Sequence, residues 1–466
     1  MSQYLYTQLA QLLRHKIANG QLHVFSKLPS IRDMCRLHNV SKSTVLSAYA
    51  QLEAEGLIEA RAKSGYYVTK PQNCLKKPDI SKPDSAPRLI SSTQVIVDMM
   101  RRGAAFDLLP NSKTDPYNEQ LRHALTKTLR NQNSSEQLYY DQPQGNSFLR
   151  TQLAYCINHG AGQVSEDDVI ITNGCQHSLL LALMATTEPN DVVAIESPGF
   201  YGALQLLEAL GRKVLEIPSS SDQGISLDAL KLASNHWDIK ALIVSPSFAT
   251  PTGSCMSEAQ KEQLLGLAER QNFVIIEDDI YAELHYDMQR PRTIYSYDTK
   301  GFVILCSSLS KILSRDLRIG WILSSRYHQQ ILALKIATSM SNSVSQQQGV
   351  ALFIANGGLD KHLKLRRAQL KKQKEQLQAL IINQLPMAKS ASQPKGGMVV
   401  WLELDSQINT LTLYHQAREI GLTITPGSLF SAQDTYQHYL RLSFAHPWTD
   451  ARQQAFKQLA KLVHQY

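Results

Sequence analysis

The sequence lacks the usual features of a secreted, zinc-binding or membrane-spanning protein. Its 466 residues include only six cysteines, and no two of them form a Cys-x-x-Cys pair, which argues against a disulfide framework or a zinc site. Its apolar runs are too short to cross a bilayer, and its start shows no basic region followed by an apolar one. We therefore expect a cytoplasmic protein that carries no secretory signal and binds no metal.

Excess charge is scarce outside the first part of the chain. The net charge is +8, and residues 1–90 hold 13 Lys and Arg against 6 Asp and Glu. The other 376 residues hold 35 and 34. Such a basic segment is either a solvated surface or a face that binds phosphates, and charge alone favours neither. Because the chain is too long for one ordinary core, we expect two or three domains.

Residues 1–70 show the pattern of three helices followed by a hairpin. Apolar residues recur at helical spacing near the start, and Ser30 and Ser41 are each placed to cap a further helix. Two short runs, 57–60 and 66–68, are typical of strands. This order predicts a winged helix-turn-helix, whose third helix should bury four apolar residues: Val45, Leu46, Tyr49 and Leu52.

The third predicted helix begins with side chains that suit DNA. Lys42, Ser43 and Thr44 are short or basic hydrogen-bond donors. A helix of about 12 residues is roughly 18 Å long and fits a major groove about 12 Å wide. Arg32 on the preceding helix can reach the phosphate backbone, and Lys63 at the hairpin tip can enter the minor groove. We predict binding to double-stranded DNA; a winged helix used for protein contacts is the alternative.

Residues 71–88 are expected to form a linker between two domains. Their prolines and lysines favour an extended, poorly packed chain, and eighteen residues can span up to about 60 Å. In the remainder, residues 89–466, short apolar runs alternate with helical patterns. This alternation predicts an α/β domain with a mostly parallel sheet, which would bind ligands where its strands end.

Lys311 is the most informative residue of this larger domain. It follows the apolar run 302–306 and is flanked by hydroxyl side chains, and Arg318 comes seven residues later. This group suits an imine with a phosphorylated aldehyde, so we predict a pyridoxal phosphate (PLP) site. Asp278 ends another apolar run and can keep the pyridine nitrogen protonated, while Tyr281 can reach the ring hydroxyl. A helix cap or a metal ligand is the alternative for the carboxylate.

Four further candidates are individually ambiguous. Backbone amides near Gly174 either bind an anion at a helix N-terminus or form a plain tight turn. Phe200 either stacks on the cofactor ring or belongs to the core. Thr250 either bonds the ring hydroxyl or marks a turn. Arg441 lies in an apolar strand, where its fork of donors suits either the carboxylate of a bound amino acid or an internal ion pair.

The head resembles the GntR-type winged helix, because four motifs occur in that family's order. They are Leu28-Pro29-Ser30-Ile31-Arg32, Val40-Ser41-Lys42-Ser43-Thr44-Val45, residues 49–57, and Ser64-Gly65-Tyr66. The resemblance implies DNA contacts at Arg32, Lys42, Thr44 and the wing around Gly65.

Residues 105–466 resemble the fold-type I aminotransferases, whose order of site residues they share. The resemblance implies a smaller C-terminal α+β subdomain and a Schiff base at Lys311. Tyr140 matches a tyrosine that reaches the neighbouring subunit's phosphate, and Arg441 matches the residue that binds the substrate's α-carboxylate. The residues implied to hold the phosphate are Ser308, Ser310, Arg318 and the amides of Gly174, Cys175 and Gln176.

Two positions depart from the aminotransferase pattern. Thr250 replaces the asparagine that usually precedes the Pro-Thr-Gly turn, and Phe200 stands where related chains often have tyrosine. Because Thr250 still donates a hydrogen bond, we expect cofactor binding to be retained. The two departures make efficient turnover less expected than cofactor binding.

The whole chain resembles the MocR-type subgroup of GntR regulators, in which a winged helix precedes an aminotransferase-like domain. The resemblance implies a homodimeric, PLP-dependent transcriptional regulator that senses an amino acid or another amine through external aldimine formation. One alternative is an active aminotransferase with an appended DNA-binding head. The other is a sensor of PLP itself. Residual half-transamination is compatible both with the amine-sensing regulator and with the active aminotransferase.

Overall fold

A computed structural model describes most of the chain. The described residues are 5–19, 21–23, 25–54, 57–61, 64–69, 75–82, 86–88, 108–109, 119–131, 140–161, 164–286, 289–433 and 435–466. By their internal contacts they divide into the head, Met1–Cys74, and the larger unit, Leu75–Tyr466.

The head contains the three helices and the hairpin that the sequence predicts. Ser30 caps the second helix by accepting a hydrogen bond from the backbone N–H of Asp33 (3.2 Å), and Ser41 accepts one from Thr44 (3.1 Å) at the third. The elements are α1 (Leu5–Ala18), α2 (Ile31–His38), α3 (Lys42–Ala54) and the antiparallel strands β1 (Ile58–Arg61) and β2 (Gly65–Val68).

The core of the head is built on one stripe of α3. Val45, Tyr49 and Leu52 are buried, at a spacing that puts them on one helix face. Leu46 is 39% exposed, so its predicted burial is wrong. The physical reason is that the residue after Val45 lies about 100° further round the helix and leaves the apolar stripe.

An eight-stranded sheet organises most of the larger unit. Its order is β3-β10-β9-β8-β7-β4-β5-β6; the strands from β9 to β5 are parallel, and β10 and β6 run antiparallel to their neighbours. The mostly parallel sheet is therefore confirmed. The strands are β3 (Ile170–Thr172), β4 (Val192–Ser197), β5 (Lys213–Ser220), β6 (Gly224–Ile225), β7 (Ile239–Val244), β8 (Val274–Asp278), β9 (Val303–Ser308) and β10 (Gly320–Leu323).

A smaller antiparallel sheet lies in the C-terminal part, as the resemblance implies. Its strands are β11 (Ala388–Ala391), β12 (Val399–Leu404), β13 (Thr425–Pro426) and β14 (Tyr439–Ser443), in the order β11-β12-β14-β13.

Helices cover both sheets of the larger unit. In the part of the chain that the structure describes, no helix combines the length and the apolar character needed to cross a membrane. The helices are α4 (Glu119–Arg130), α5 (Ser147–Ala161), α6 (Cys175–Thr186), α7 (Tyr201–Ala209), α8 (Leu227–His236), α9 (Glu258–Gln271), α10 (His328–Ser339), α11 (Val344–Ala355), α12 (Gly358–Gln384), α13 (Thr410–Glu419) and α14 (Asp450–Val463).

The central strands bring the candidate site residues to one edge of the large sheet. Every residue of β8 and of β9 is buried, as expected for parallel strands covered on both faces. Asp278 ends β8 opposite Cys306 of β9, and the chain leaves β9 at Ser308, three residues before Lys311. The carboxyl ends of two neighbouring strands therefore deliver Asp278 and Lys311 to the same place.

The predicted linker is packed on the larger unit where it is described. Arg88 and Val214 exchange two backbone hydrogen bonds (2.9 and 2.7 Å), and the carbonyl of Lys76 accepts one from Ala391 (2.8 Å). Residues 75–82 and 86–88 are thus not the poorly packed chain that their composition predicts. Lys76 pairs with the edge strand β11. Arg88 pairs with Val214 of β5, which lies outside the short stretch of β5 that pairs with β6, so its backbone groups are available.

Candidate cofactor site and nucleic-acid interface

Lys311 is half-buried, and its amine lies among charged neighbours. Its pKa is lowered to about 7, first by burial and then by the guanidinium of Arg441, while Asp278 opposes the shift and Arg318 adds to it. These predicted site residues therefore lie within electrostatic reach of Lys311. An amine with such a pKa is about half neutral at pH 7, and the neutral form is the one that attacks an aldehyde.

The carboxylate of Asp278 accepts a hydrogen bond from a cysteine thiol. The Sγ of Cys175 donates a hydrogen bond to Oδ1 of Asp278 at 3.3 Å. Burial raises the pKa of Asp278 to about 6, although the bond from Cys175 works against this shift. We expected Cys175 to act through its backbone amide, and sequence reasoning missed its side chain. The contact depends on α6 packing against β8, which one sequence does not reveal.

The N-terminus of α6 forms a cradle with Arg318. Gly174 precedes α6 with a φ of 87°, and Nη2 of Arg318 donates to the carbonyl of Asn173 (2.9 Å). A Cβ on Gly174 would lie 2.9 Å from that same Nη2, so glycine is what leaves room for the guanidinium. A 12-residue helix with its free amides beside an arginine is suited to bind a phosphate.

Two other predicted phosphate contacts lie beside this cradle in the fold. Ser308 is buried at the end of β9 and pairs with Gly320 of β10. The side chain of Gln176 donates to the carbonyl of Gly202 (2.7 Å), so the predicted phosphate contact of Gln176 is assigned to its backbone amide.

Several buried hydroxyls have no hydrogen-bond partner among the described residues, and three of them belong to predicted site residues. They are Thr250 Oγ1, Tyr281 OH and Ser310 Oγ, and each was predicted to contact the cofactor. Leaving a buried hydroxyl without a partner costs about 1–3 kcal/mol, so three of them indicate a polar ligand. Burial also raises the pKa of Tyr281, which keeps its phenol protonated and able to donate.

Phe200 follows β4 and begins the turn into α7. Its ring centroid lies 5.0 Å from that of Tyr201, and a Cβ on Gly202 would lie 2.5 Å from the Phe200 ring. The turn is fixed because the N–H of Gly199 donates to the carbonyl of Phe430 (2.8 Å). Phe200 is thus an aromatic side chain on a rigid turn, as a stacking residue requires.

Arg441 is only 2% exposed, although it carries a full guanidinium. Its Nη2 donates to Thr425 Oγ1 (3.1 Å), a bond with Tyr201 supports it, and its guanidinium carbon lies 5.3 Å from the ring centroid of Phe430. Burial lowers its pKa. Sequence reasoning missed Thr425 and Tyr201. Tyr201 could have been found, because it directly follows Phe200.

Tyr140 stands apart from this buried group. It is 79% exposed, as a residue that contacts a second subunit would be in a single chain. Its predicted contact with the neighbouring phosphate stays a prediction.

The head exposes basic and hydroxyl side chains at the start of α3. Arg32, Lys42 and Ser43 are exposed, and Thr44 is half-buried. Gly65 adopts a φ of 107° in an exposed position at the start of β2. The hydroxyl of Ser41 is hydrogen-bonded to those of Ser43 and Thr44, both at 2.8 Å, and so orders this end of the helix. The predicted contact at Lys63 lies outside the described residues.

Two protein families match the chain. The family of bacterial regulatory proteins, gntR family, matches residues 5–68, and aminotransferase class I and II matches residues 110–459.

Two regulators are similar to nearly the whole chain, and a solved aminotransferase structure is similar to most of it. The chain is 36% identical over 464 residues to the HTH-type transcriptional regulator YjiR of Escherichia coli K12, covering 98% of each chain. It is 31% identical to YdcR of the same organism, covering 99% of each. The crystal structure of Pyrococcus horikoshii kynurenine aminotransferase in complex with PMP matches with a TM-score of 0.72 and 26% identity, over 81% of this chain and 95% of that one.

Proposed function

Because the chain belongs to the GntR-family transcriptional regulators that carry a class I and II aminotransferase domain, the MocR-type group, we propose that it binds PLP and senses a small amine there. The observation that carries this proposal is the buried cluster of Lys311, Asp278 and Arg441 beside a phosphate cradle. PLP supplies an aldehyde that condenses with primary amines.

Each part of the cofactor has residues suited to hold it. Lys311 would supply the covalent link, Asp278 would pair with the pyridine nitrogen, and Phe200 would stack on the ring. The unpartnered hydroxyls of Thr250 and Tyr281 suit the ring hydroxyl. The groups that would hold the phosphate are Ser308, Ser310, Arg318 and the amides of Gly174, Cys175 and Gln176.

Two residues govern how an effector is received. Lys311 would hold the cofactor through its aldehyde carbon, and its amine, whose pKa is lowered, could accept or give up a proton near pH 7. Arg441 presents a buried guanidinium fork to an effector that carries a carboxylate, which favours amino acids over simple amines.

The head would convert this event into a change in DNA binding. Arg32, Lys42, Ser43 and Thr44 bind DNA, with Lys63 and Gly65 at the wing. The effector must bind two arrangements of the protein with different affinity, since otherwise no equilibrium shifts. A homodimer is part of the proposal, because two heads match two half-sites and the exposed Tyr140 would serve a second subunit.

An active aminotransferase is the second candidate, because Lys311, Asp278 and Arg441 are all present in one buried site. The two candidates are separated by measuring steady-state turnover of an amino acid with a keto acid beside a gel shift on the DNA upstream of the chain's own gene. The regulator predicts a specific shift that an amine alters, with slow turnover. Rapid turnover without a specific shift would favour the enzyme.

A sensor of PLP itself is distinguished by titration. Adding PLP to the apo-protein would then change DNA binding, and a further amine would change nothing more.

A further inference from the structure

Residues 75–82, here called the connecting segment, touch both sheets of the larger unit. The carbonyl of Lys76 accepts from the N–H of Ala391 in β11, and the N–H of Ser81 reaches the carbonyl of Ser219 in β5 at 3.5 Å. The connecting segment continues in sequence to residue 74, where the head ends. It is therefore the covalent route from the head into the larger unit.

Ser81 fastens this segment to the turn that carries Phe200. Its Oγ donates to the carbonyl of Ser197 (2.5 Å) and accepts from the N–H of Ser219 (3.0 Å). The Oγ of Ser197 is in turn hydrogen-bonded to the hydroxyl of Tyr436 (2.9 Å). Ser197 is three residues before Phe200, so the segment is pinned directly to the wall of the cofactor site.

A cavity of about 240 Å³ lies between the connecting segment and an aromatic wall. Residues 78–82 form one side, and Trp401, Tyr436 and Tyr439 form the other. The rings of Trp401 and Tyr439 are stacked, with centroids 5.2 Å apart and planes at 17°. Pockets for whole drug-sized ligands measure about 300–1,000 Å³, so this volume suits a part of a ligand.

The aromatic wall adjoins Arg441. Trp401 lies directly opposite Arg441 in the β12–β14 pairing, which puts both side chains on one face of the sheet. The Trp401 ring lies 5.5 Å from that of Phe430, over which the Arg441 guanidinium sits. Thr252, two residues after Thr250, lines the same cavity. The cavity therefore adjoins the residue proposed to hold an effector's carboxylate, across the ring of Trp401.

We propose that this cavity is a subsite for the aromatic side chain of an amino-acid effector, and that a bound ring holds the connecting segment in place. Flat rings stack favourably on other rings, and residues 78–82 would close over the bound group. Occupancy then reaches the head through the chain itself. The proposal rests on the proposed function, because the effector's amine and carboxylate are placed by Lys311 and Arg441.

Titration of the PLP-loaded protein with L-phenylalanine and L-alanine tests the subsite. The change in cofactor absorption gives a half-saturating concentration for each, and we expect L-phenylalanine to bind at least tenfold more tightly, about 1.4 kcal/mol. Ser221 lines the cavity, so Ser221→Leu should remove that preference, while the matched Ser221→Ala leaves it. Equal half-saturating concentrations of the two amino acids in the unaltered protein would overturn the proposal. A preference for L-phenylalanine that survives Ser221→Leu would do the same.

Hydrogen exchange tests the connecting segment without any substitution. Saturating L-phenylalanine should slow amide exchange in residues 75–82 several-fold, and L-alanine should not. In the Ser81→Ala variant, amide exchange in residues 75–82 should stay fast with either amino acid. The control is Ser234→Ala, which removes a hydroxyl-to-carbonyl hydrogen bond on α8 and should behave as the unaltered protein. Unchanged exchange in residues 75–82 would overturn the proposal. A cofactor spectrum that no amine alters would instead refute the proposed function itself.

Discussion

Replacing Arg441 by methionine should separate the contribution of an effector's carboxylate from that of its amine. The guanidinium is 2% exposed and contacts Thr425, Tyr201 and the ring of Phe430. Methionine is unbranched and packs well against aromatic rings, so Arg441→Met should still fold. It removes the buried fork of donors and one of the charges that lower the pKa of Lys311, and it leaves the phosphate cradle unchanged.

The expected loss of affinity follows from the burial of the charge pair that Arg441 would form with the effector's carboxylate. Removing one partner of a buried, hydrogen-bonded charge pair costs about 2–5 kcal/mol. For an amino acid this corresponds to a half-saturating concentration about 30-fold to several thousand-fold higher. Arg441→Lys keeps the charge without the planar fork. Its half-saturating concentration for an amino acid should therefore lie between that of the unaltered protein and that of Arg441→Met.

The assay compares L-phenylalanine with 2-phenylethylamine, which lacks only the carboxylate. Binding to the PLP-loaded protein is followed by the change in cofactor absorption. Arg441→Met should weaken the binding of L-phenylalanine by the factor above. It should weaken the binding of 2-phenylethylamine less than about threefold, which corresponds to about 0.6 kcal/mol. Equal weakening of both ligands would refute the role of Arg441, because the loss would then be independent of the carboxylate.

Three further predictions concern the cofactor and DNA. PLP uptake by the apo-protein should speed up as the pH rises, with a midpoint near 7, because the neutral amine of Lys311 reacts and its pKa is lowered to about 7; a midpoint near the ordinary lysine value of about 10.4 would contradict this. Lys42→Ala should weaken DNA binding and reduce its salt slope by about one, whereas Lys231→Ala, at an exposed position of α8, should change neither; an undiminished slope would reject a phosphate contact. Gly174→Ala should weaken PLP binding at least tenfold because of the close guanidinium, while Gly211→Ala, with a φ of 65° and open space for its Cβ, should not; equal losses would point to backbone strain alone.

The head could be predicted closely because its signals are local. Ser30 and Ser41 stand directly before the helices that they cap, and capping depends only on nearby residues. The exposed Leu46 shows the limit of this approach, since an apolar residue next to a buried stripe need not belong to it.

The cofactor residues could be predicted because they end consecutive strands. Lys311 and Asp278 were found from their positions after apolar runs, and parallel pairing brings such ends together. The thiol of Cys175 on Asp278 could not be found in this way. That contact depends on how a helix packs against a strand about a hundred residues away.

The connecting segment could not be predicted because its composition reports only the preference of an isolated chain. Proline and lysine favour an extended chain, and an extended chain is also what pairs with a free strand edge. The edges of β5 and β11 that accept residues 75–82 and 86–88 exist only in the folded protein.

The covalent link at Lys311 is tested most directly by reducing the PLP-loaded protein with borohydride and locating the modified peptide by mass spectrometry. Lys335 is the best internal comparison, because it is a buried lysine whose pKa is also lowered, to about 8. We predict that the added mass lies on the peptide containing Lys311 and that Lys311→Ala loses the absorption of the lysine-bound cofactor. Modification of Lys335 instead, or an unchanged spectrum in Lys311→Ala, would contradict the account.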